Sequence, residues 1–266
     1  MLASIVPIKN LSRPLQIIAA LALAAWALLA PLPDFASAGE RVTFGHSVLG
    51  RPLVVTVKGS QEAPARILVV GCVHGDETAG IRVVRRLLAS AAPRKAALWV
   101  VPSLNPDGVA AGTRGNARGV DLNRNFPFDW RPVDGLEYSG PESLSEPEAR
   151  AAWRLIRRTD PDVTIWFHQP FGLVARSGGA PAIERRYAEL TGLPLVPLRR
   201  PPGSASSWQN HALPRSSAFV VELPAVPRRG LIRRAARAVT TLASEYASAE
   251  VGKATEADRG DVRLPA

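Results

Sequence analysis

The sequence has 266 residues, 46% of them hydrophobic, and a formal charge of +10 drawn mostly from arginine. That length and apolar content suffice for one good-sized domain with a real core and exclude an overall disordered chain. The arginines are spread thinly, with no dense basic block and no interleaved aromatic pattern. This argues against a nucleic-acid partner and leaves a basic solvated surface suited to anionic cell-wall polymers or acidic membranes.

At the amino terminus, Lys9 and Arg13 precede an apolar stretch from Leu15 to Leu32, and Ala36-Ser37-Ala38 follows. A charged segment, an apolar segment and a small-residue cleavage site, in that order, describe a secretory signal peptide. Residues 1–38 are expected to be a signal peptide cut after Ala38. If uncut they form a signal anchor, the run being near the lower limit for crossing a bilayer. The protein is expected to be exported, whether periplasmic, secreted or cell-wall associated, and to meet a membrane only through an uncleaved segment. Loss of Lys9, Arg13 and Asp34 with that segment lowers the charge from +10 to +9. Cys72 is the single cysteine, so no internal disulfide forms, and its place in an apolar run points to a buried core residue.

Arg41–Gly45 and Pro52–Lys58 read as short strands, followed by a central strand at Arg66–Val70. From Ala79 to about Ala92, the apolar residues Ile81, Val84, Leu87 and Leu88 recur at helical spacing, with Arg82, Arg85 and Arg86 on the wet face. Leu98–Val101 is another strand, and Asn105-Pro106-Asp107-Gly108 is a turn signal. The chain then stays rich in Gly, Asn, Asp, Arg and Pro to about Gly140, and a loop of that length inside a compact domain is usually functional. Ser145-Glu146-Pro147-Glu148 reads as a capping box opening a helix to about Arg158. Val163–Phe167 is a buried-type strand with His168 at its end. Pro181–Thr191 is a predicted helix, Pro194–Ser207 a Pro/Arg/Ser-rich connector, Trp208–Leu213 a helical turn, and Ala218–Val221 a strand ending in Glu222. Leu231–Tyr246 is a final amphipathic helix, and a frayed tail is expected from residue 249 to 266. Strands alternating with helices predict an α/β domain over residues 39–248, with helices on both faces of a mostly parallel or mixed sheet.

Three groups stand just past predicted strand ends: His74 with Glu77, then His168, then Glu222. Two histidines and a glutamate can hold a catalytic zinc with one position open for water. A separate carboxylate must take that water's proton, and Glu222 is the candidate base. The loop Thr113–Pro127 carries Arg114, Arg118 and Arg124, whose planar forks suit a carboxylate or an oxyanion.

Several short motifs run in one order across about residues 45–225. They are Gly50-Arg51-Pro52-Leu53, His74-Gly-Asp-Glu77, Asn105-Pro-Asp-Gly108, Asp121-Leu-Asn-Arg-Asn-Phe-Pro127, Gly140-Pro with Ser145-Glu-Pro-Glu148, His168, and Phe219-Val-Val-Glu222-Leu. In this the chain resembles the carboxypeptidase A-type zinc peptidases. The resemblance implies one zinc ion per chain held by His74, Glu77 and His168, and Glu222 as the glutamate that activates water. It implies Asn123 and Arg124 as the pair that grips a substrate's terminal carboxylate. Arg114 would polarise the scissile carbonyl, with Arg118 as the alternative. The implied substrate is a peptide with a free terminal carboxylate. The short interval from His168 to Glu222 resembles the murein peptide amidase branch, which implies a cell-wall peptide. Family members often carry a tyrosine over the substrate. Tyr187, the sole tyrosine in that interval, falls in a predicted helix, leaving Trp208 or His211 to stand in its place. An aspartoacylase-type acyl-amino-acid deacylase and a non-catalytic peptide- or wall-binding protein are the rival readings. The Asp121–Pro127 loop favours the peptidase over the first, and the complete ligand set with its base favours it over the second.

Overall fold

The computed structural model describes residues 39–260, with side chains as far as Ala249. The expected signal segment, residues 1–38, and the last residues of the expected tail, 261–266, lie outside the described residues. Eight strands form one mixed sheet in the order β1-β2-β4-β3-β5-β8-β6-β7. They are β1 (Arg41–His46), β2 (Pro52–Lys58), β3 (Ala65–Val70), β4 (Ala96–Val101), β5 (Val163–His168), β6 (Phe171–Arg176), β7 (Leu195–Pro197) and β8 (Ser217–Pro224). The central run β4-β3-β5-β8 is parallel, and antiparallel pairs flank it on both sides.

Alternation along the strands sorts side chains between two layers. Val163, Ile165 and Phe167 of β5, with Phe219, Val221 and Leu223 of β8, face a core shared with α1 (Ala79–Ala89), α4 (Pro181–Thr191) and α6 (Arg229–Gly260). Thr164, Trp166 and His168 point the other way, toward the long loop, α3 (Pro147–Thr159) and α5 (Ala205–Ala212). There Trp166 meets Phe126 edge-on at 6.3 Å, and Gln209 of α5 donates to the Thr164 hydroxyl at 2.7 Å. Because His168 and Glu222 are register partners on β5 and β8, both reach this second face.

Four local expectations are corrected. The Asn105–Gly108 turn opens a short helix, α2 (Pro106–Ala111), because Pro106 suits its first position and Asn105 caps the Gly108 amide at 2.8 Å. The capping box at Ser145 does not form: Ser145 Oγ donates to Glu146 Oε1 at 2.9 Å, and Glu146 takes the N-cap position of α3. The Pro194–Ser207 connector contains the three-residue edge strand β7, too short to show a period, and β6 follows His168 after only Gln169 and Pro170. The final helix runs past Tyr246 to Gly260, in a stretch rich in the helix formers Ala and Glu.

Candidate metal centre

The loop between β3 and α1 is held short by backbone packing. A Cβ on Gly80 would stand 2.0 Å from the Gly71 carbonyl oxygen, so the helix begins directly against the strand's exit. His74 and Glu77 lie in that loop. Thr78 makes no side-chain cap for α1; Gln169 Oε1 instead accepts the Ala79 amide at 2.8 Å. The Gln169 amide also donates to Glu77 Oε2 at 3.1 Å. The residue after His168 therefore ties the end of β5 to the start of α1.

These constraints bring three donors together. His74 Nδ1 is 2.9 Å from Glu77 Oε1, His168 Nδ1 is 3.0 Å from Glu77 Oε2, and the two Nδ1 atoms are 3.2 Å apart. All three ligand atoms lie within 4.8 Å of one another. Asp121 Oδ1 pairs with His74 Nε2 at 2.9 Å, so the proton on that side leaves Nδ1 turned to the centre. Arg114 spans the acids, donating to Glu77 Oε1 at 3.1 Å and to Asp121 Oδ2 at 3.0 Å. Two imidazole nitrogens crowded onto one buried carboxylate form a lone-pair-rich centre that a cation or a proton must neutralise. With one side open to the cleft, this donor set fits zinc.

The electrostatics agree with that geometry. Burial alone would lower the His74 pKa, but the charges and hydrogen bonds of Asp121 and Glu77 outweigh it and raise it to about 9. Burial pushes His168 down and keeps its ring neutral. Burial would raise Glu77, yet hydrogen bonds from His168 and His74 hold it far below the usual carboxylate range. Glu222 goes the other way. Burial first, then the Glu77 charge, raise it to about 7, and its Oε2 has no hydrogen-bond partner among the described residues.

His74, Glu77, Arg114, Asn123, Arg124, His168 and Glu222 all line one cleft of about 710 Å³. Arg118 does not; its guanidinium is half exposed and 3.5 Å from Glu146. Arg124 pairs with Glu137 and donates to the Asn123 carbonyl at 3.0 Å, while Asn123 Oδ1 accepts the Ala205 amide at 3.0 Å. Neither Tyr187 nor the expected substitutes Trp208 and His211 lines the cleft. Tyr187 is buried in the opposite layer and bonds the Ala235 carbonyl at 3.1 Å. Trp208 packs on Phe126 at 5.5 Å, and His211 stacks on Phe128 at 4.2 Å. Cys72 is buried in the core, and that burial raises its thiol to about 12.

Sequence reasoning missed Asp121, Gln169 and Glu137 as partners of site residues. Asp121 opens the Asp121–Pro127 motif, two residues before Asn123, but carboxylates in loops are common and carry no period. Arg199, Arg200 and the serines at the start of α5, which also line the cleft, fall within the Pro194–Ser207 connector.

The sequence profile described as zinc carboxypeptidase matches residues 33–175. Murein peptide amidase A of Escherichia coli strain K12 is 32% identical over 181 residues, covering 62% of this chain and 74% of its own. The protein of the same name from Vibrio campbellii is 33% identical over 203 residues, covering 69% and 79%. The crystal structure of murein-tripeptide amidase MpaA from Escherichia coli O157 superposes with a TM-score of 0.64 at 27% identity, covering 82% of this chain and 95% of that one.

Proposed function

The chain belongs to the zinc carboxypeptidase family, and on that premise we propose that it is an exported, zinc-dependent enzyme that cleaves the amide bond beside a free terminal carboxylate in murein peptides. It is a hydrolase of the metallocarboxypeptidase and murein peptide amidase kind. One observation carries the reading: the His74–Glu77–His168 donor set, Glu222 and Arg114 line a single cleft.

His74 and His168 through Nδ1, and Glu77 through its carboxylate, would hold one zinc ion. When bound, zinc supplies Lewis acidity to the amide carbonyl and to water. Glu222 takes a proton from the attacking water and returns it to the departing amide nitrogen. Arg114 stabilises the negative charge that develops on the carbonyl oxygen. Asn123 and Arg124 hold the terminal carboxylate, which must compete with Glu137 for the Arg124 fork. Asp121 keeps the His74 ring in the tautomer the site needs.

The murein peptide assignment draws on the names of the relatives, on the basic surface expected to meet an anionic wall, and on the leader-like pattern of residues 1–38. Any membrane attachment runs through that segment if it stays uncut. Purified protein is expected to carry one zinc per chain, and Glu222→Gln is expected to keep that zinc while losing about 10²-fold or more in turnover of murein tripeptide. A well-folded preparation without stoichiometric zinc, or near-native turnover by Glu222→Gln, would overturn the reading. For export, fractionation and amino-terminal sequencing should find a chain starting at Gly39 outside the cytoplasm. A chain confined to the cytoplasm with Met1 intact would count against it.

A further inference from the structure

Positive charge that is thin along the sequence is concentrated by the fold. Residues 79–95 and 228–244 together hold ten arginines and lysines and no acid. The other 23 of the 33 cations are balanced by the chain's 23 acids, so these two segments account for the whole formal charge of +10. They carry α1 and the first half of α6, which pack against each other. Val84, Leu87, Ala235 and Val239 join one core there, and the arginines stay outside.

Where the two helices meet, Arg86 of α1 and Arg233 and Arg237 of α6 line a groove of about 220 Å³. Ala89 and Ala236, one from each helix, line it too, and their small side chains leave it open. The helices run the same way along this seam: Arg82, one turn before Arg86, donates to the Pro227 carbonyl just ahead of α6 at 3.4 Å. Each side therefore presents a row of exposed arginines four residues apart, Arg82 and Arg86 facing Arg229, Arg233 and Arg237. Each step along a row is about 6 Å. No acid pairs with Arg86, Arg233 or Arg237 among the described residues, and the first acid of α6, Glu245, is held by Arg186 at 2.7 Å. Like charges at this spacing repel, and an ordinary solvated surface intersperses acids among its bases. Two unneutralised rows along one groove point to an anion that arrives from outside.

We propose that the groove between α1 and α6 binds a linear phosphate-bearing polymer of the wall, holding the enzyme there by a surface separate from its cleft. This rests on the exported, wall-acting reading given above. Guanidinium forks pair with phosphate oxygens two at a time. A narrow groove between two rows takes a strand, whereas a flat bilayer would rest on its rims. No aromatic side chain lines the groove for bases to stack on, which disfavours a nucleic acid. The groove and the cleft share no lining residue. The length of α1, about 15 Å, lies between the metal ligands at its start and the groove at its end, so a bound polymer leaves the cleft open.

The test measures equilibrium binding of the zinc-loaded protein to long-chain inorganic polyphosphate over a range of salt concentrations. Free phosphate, an unpaired oligonucleotide and vesicles of phosphatidylglycerol with phosphatidylcholine are measured beside it. Polyphosphate should bind most tightly at equal phosphate concentration. In the triple variant R86Q/R233Q/R237Q its affinity should fall about tenfold or more. The slope of log affinity against log salt should fall by about 2, three contacts at about 0.7 each. Glutamine suits exposed helix positions, so the fold is kept, and turnover of murein tripeptide by the triple variant should match the wild type. A charge-matched control, R41Q/R131Q/R215Q, removes exposed arginines from other segments and should stay within about threefold of the wild-type affinity. Absence of polyphosphate binding, an equal loss in the control, or lost tripeptide turnover in the triple variant overturns the groove as a separate docking site. Tighter binding of vesicles, oligonucleotide or free phosphate overturns the polymer in favour of a membrane, a nucleic acid or a lone anion. Groove-dependent binding by a protein that never cleaves tripeptide sinks the hydrolase reading and keeps the groove, and cleavage without such binding does the reverse.

Discussion

Glu222 has a carboxylate oxygen with no partner among the described residues, in a wall where burial and the charge of Glu77 raise its pKa to about 7. A general base must be ionised to act, so activity present above that pKa is lost as pH falls through it. A bound cation nearby favours the ionised form, so the acid limb of kcat/KM should lie at or below about 7; a rate flat down to pH of about 4 would remove Glu222 from the role. His74 sets the opposite dependence on metal binding. Its pKa of about 9 without metal, against an ordinary 6.5, means the metal-free fold gains stability from a proton on that ring. That gain is complete below about 6.5 and fades as pH rises through about 9. Zinc must displace the proton, so zinc affinity should tighten from pH 6.5 to 9, and a pH-independent dissociation constant over that range would contradict it. Asp121→Asn should weaken zinc binding about 10–100-fold, because it removes the charge that orients His74; unaltered affinity by competition with a chelator would show that Asp121 serves the loop alone. Arg124→Ala should raise KM on substrates with a free terminal carboxylate far more than on their amidated counterparts, and equal losses on both would argue against the clamp.

Among the elements, the short loop between β3 and α1 supplies two of the three donors, and α1 is held at both ends. Gln169 caps its first turn. At the other end, the buried Lys58 ammonium of β2 donates to the Leu87 carbonyl at 2.8 Å and the Leu88 carbonyl at 3.0 Å, with a third bond to Ser90. This positive charge at the helix carboxyl end suits the dipole there and adds to the Ser90 amide and hydroxyl, which also donate to the Leu87 carbonyl at 3.2 and 2.8 Å. Lys58→Met should therefore cost about 2 kcal/mol in chemical denaturation while leaving zinc stoichiometry at one. A loss under about 0.5 kcal/mol would mean that the carbonyls find other donors. The polar loop from residue 112 to 146 is ordered by side chains in place of a backbone ladder. Asn125 Nδ2 alone bonds the Ser139 carbonyl at 2.8 Å, the Glu142 carbonyl at 3.0 Å and Ser145 Oγ at 2.9 Å. The density of asparagine there is explained by such bonds, and it is what places Arg114 and Arg124 on the cleft.

At the scale of the molecule, the mixed sheet gathers groups from distant stretches of sequence onto one face. His74 and His168 are 94 residues apart along the chain, and Glu222 joins them through the parallel register of β5 and β8. A metal joining the β3–α1 loop to the end of β5 couples binding to the stability of the central sheet. At zinc about 100-fold above its dissociation constant the gain is about 2.7 kcal/mol, so chelation should lower Tm by several degrees and zinc should restore it. An unchanged Tm would mean that no metal binds the folded site.

The sequence alone determined the α/β class, the central strand, the four chemistry-bearing positions at strand ends and the arginine-rich loop. These rest on local physics: apolar period, glycine and proline punctuation, and residue chemistry at a boundary. Tertiary structure decided what depends on which side chains meet. It placed Arg114 on the cleft and left Arg118 on Glu146, gave Asp121 to His74, and put Tyr187 in the far layer. It also placed a short edge strand within the Pro194–Ser207 connector and put Arg199 and Arg200, which follow that strand, on the cleft. A period along the chain fixes the face a side chain takes, whereas its partner is fixed by the strand order and register that bring remote segments side by side.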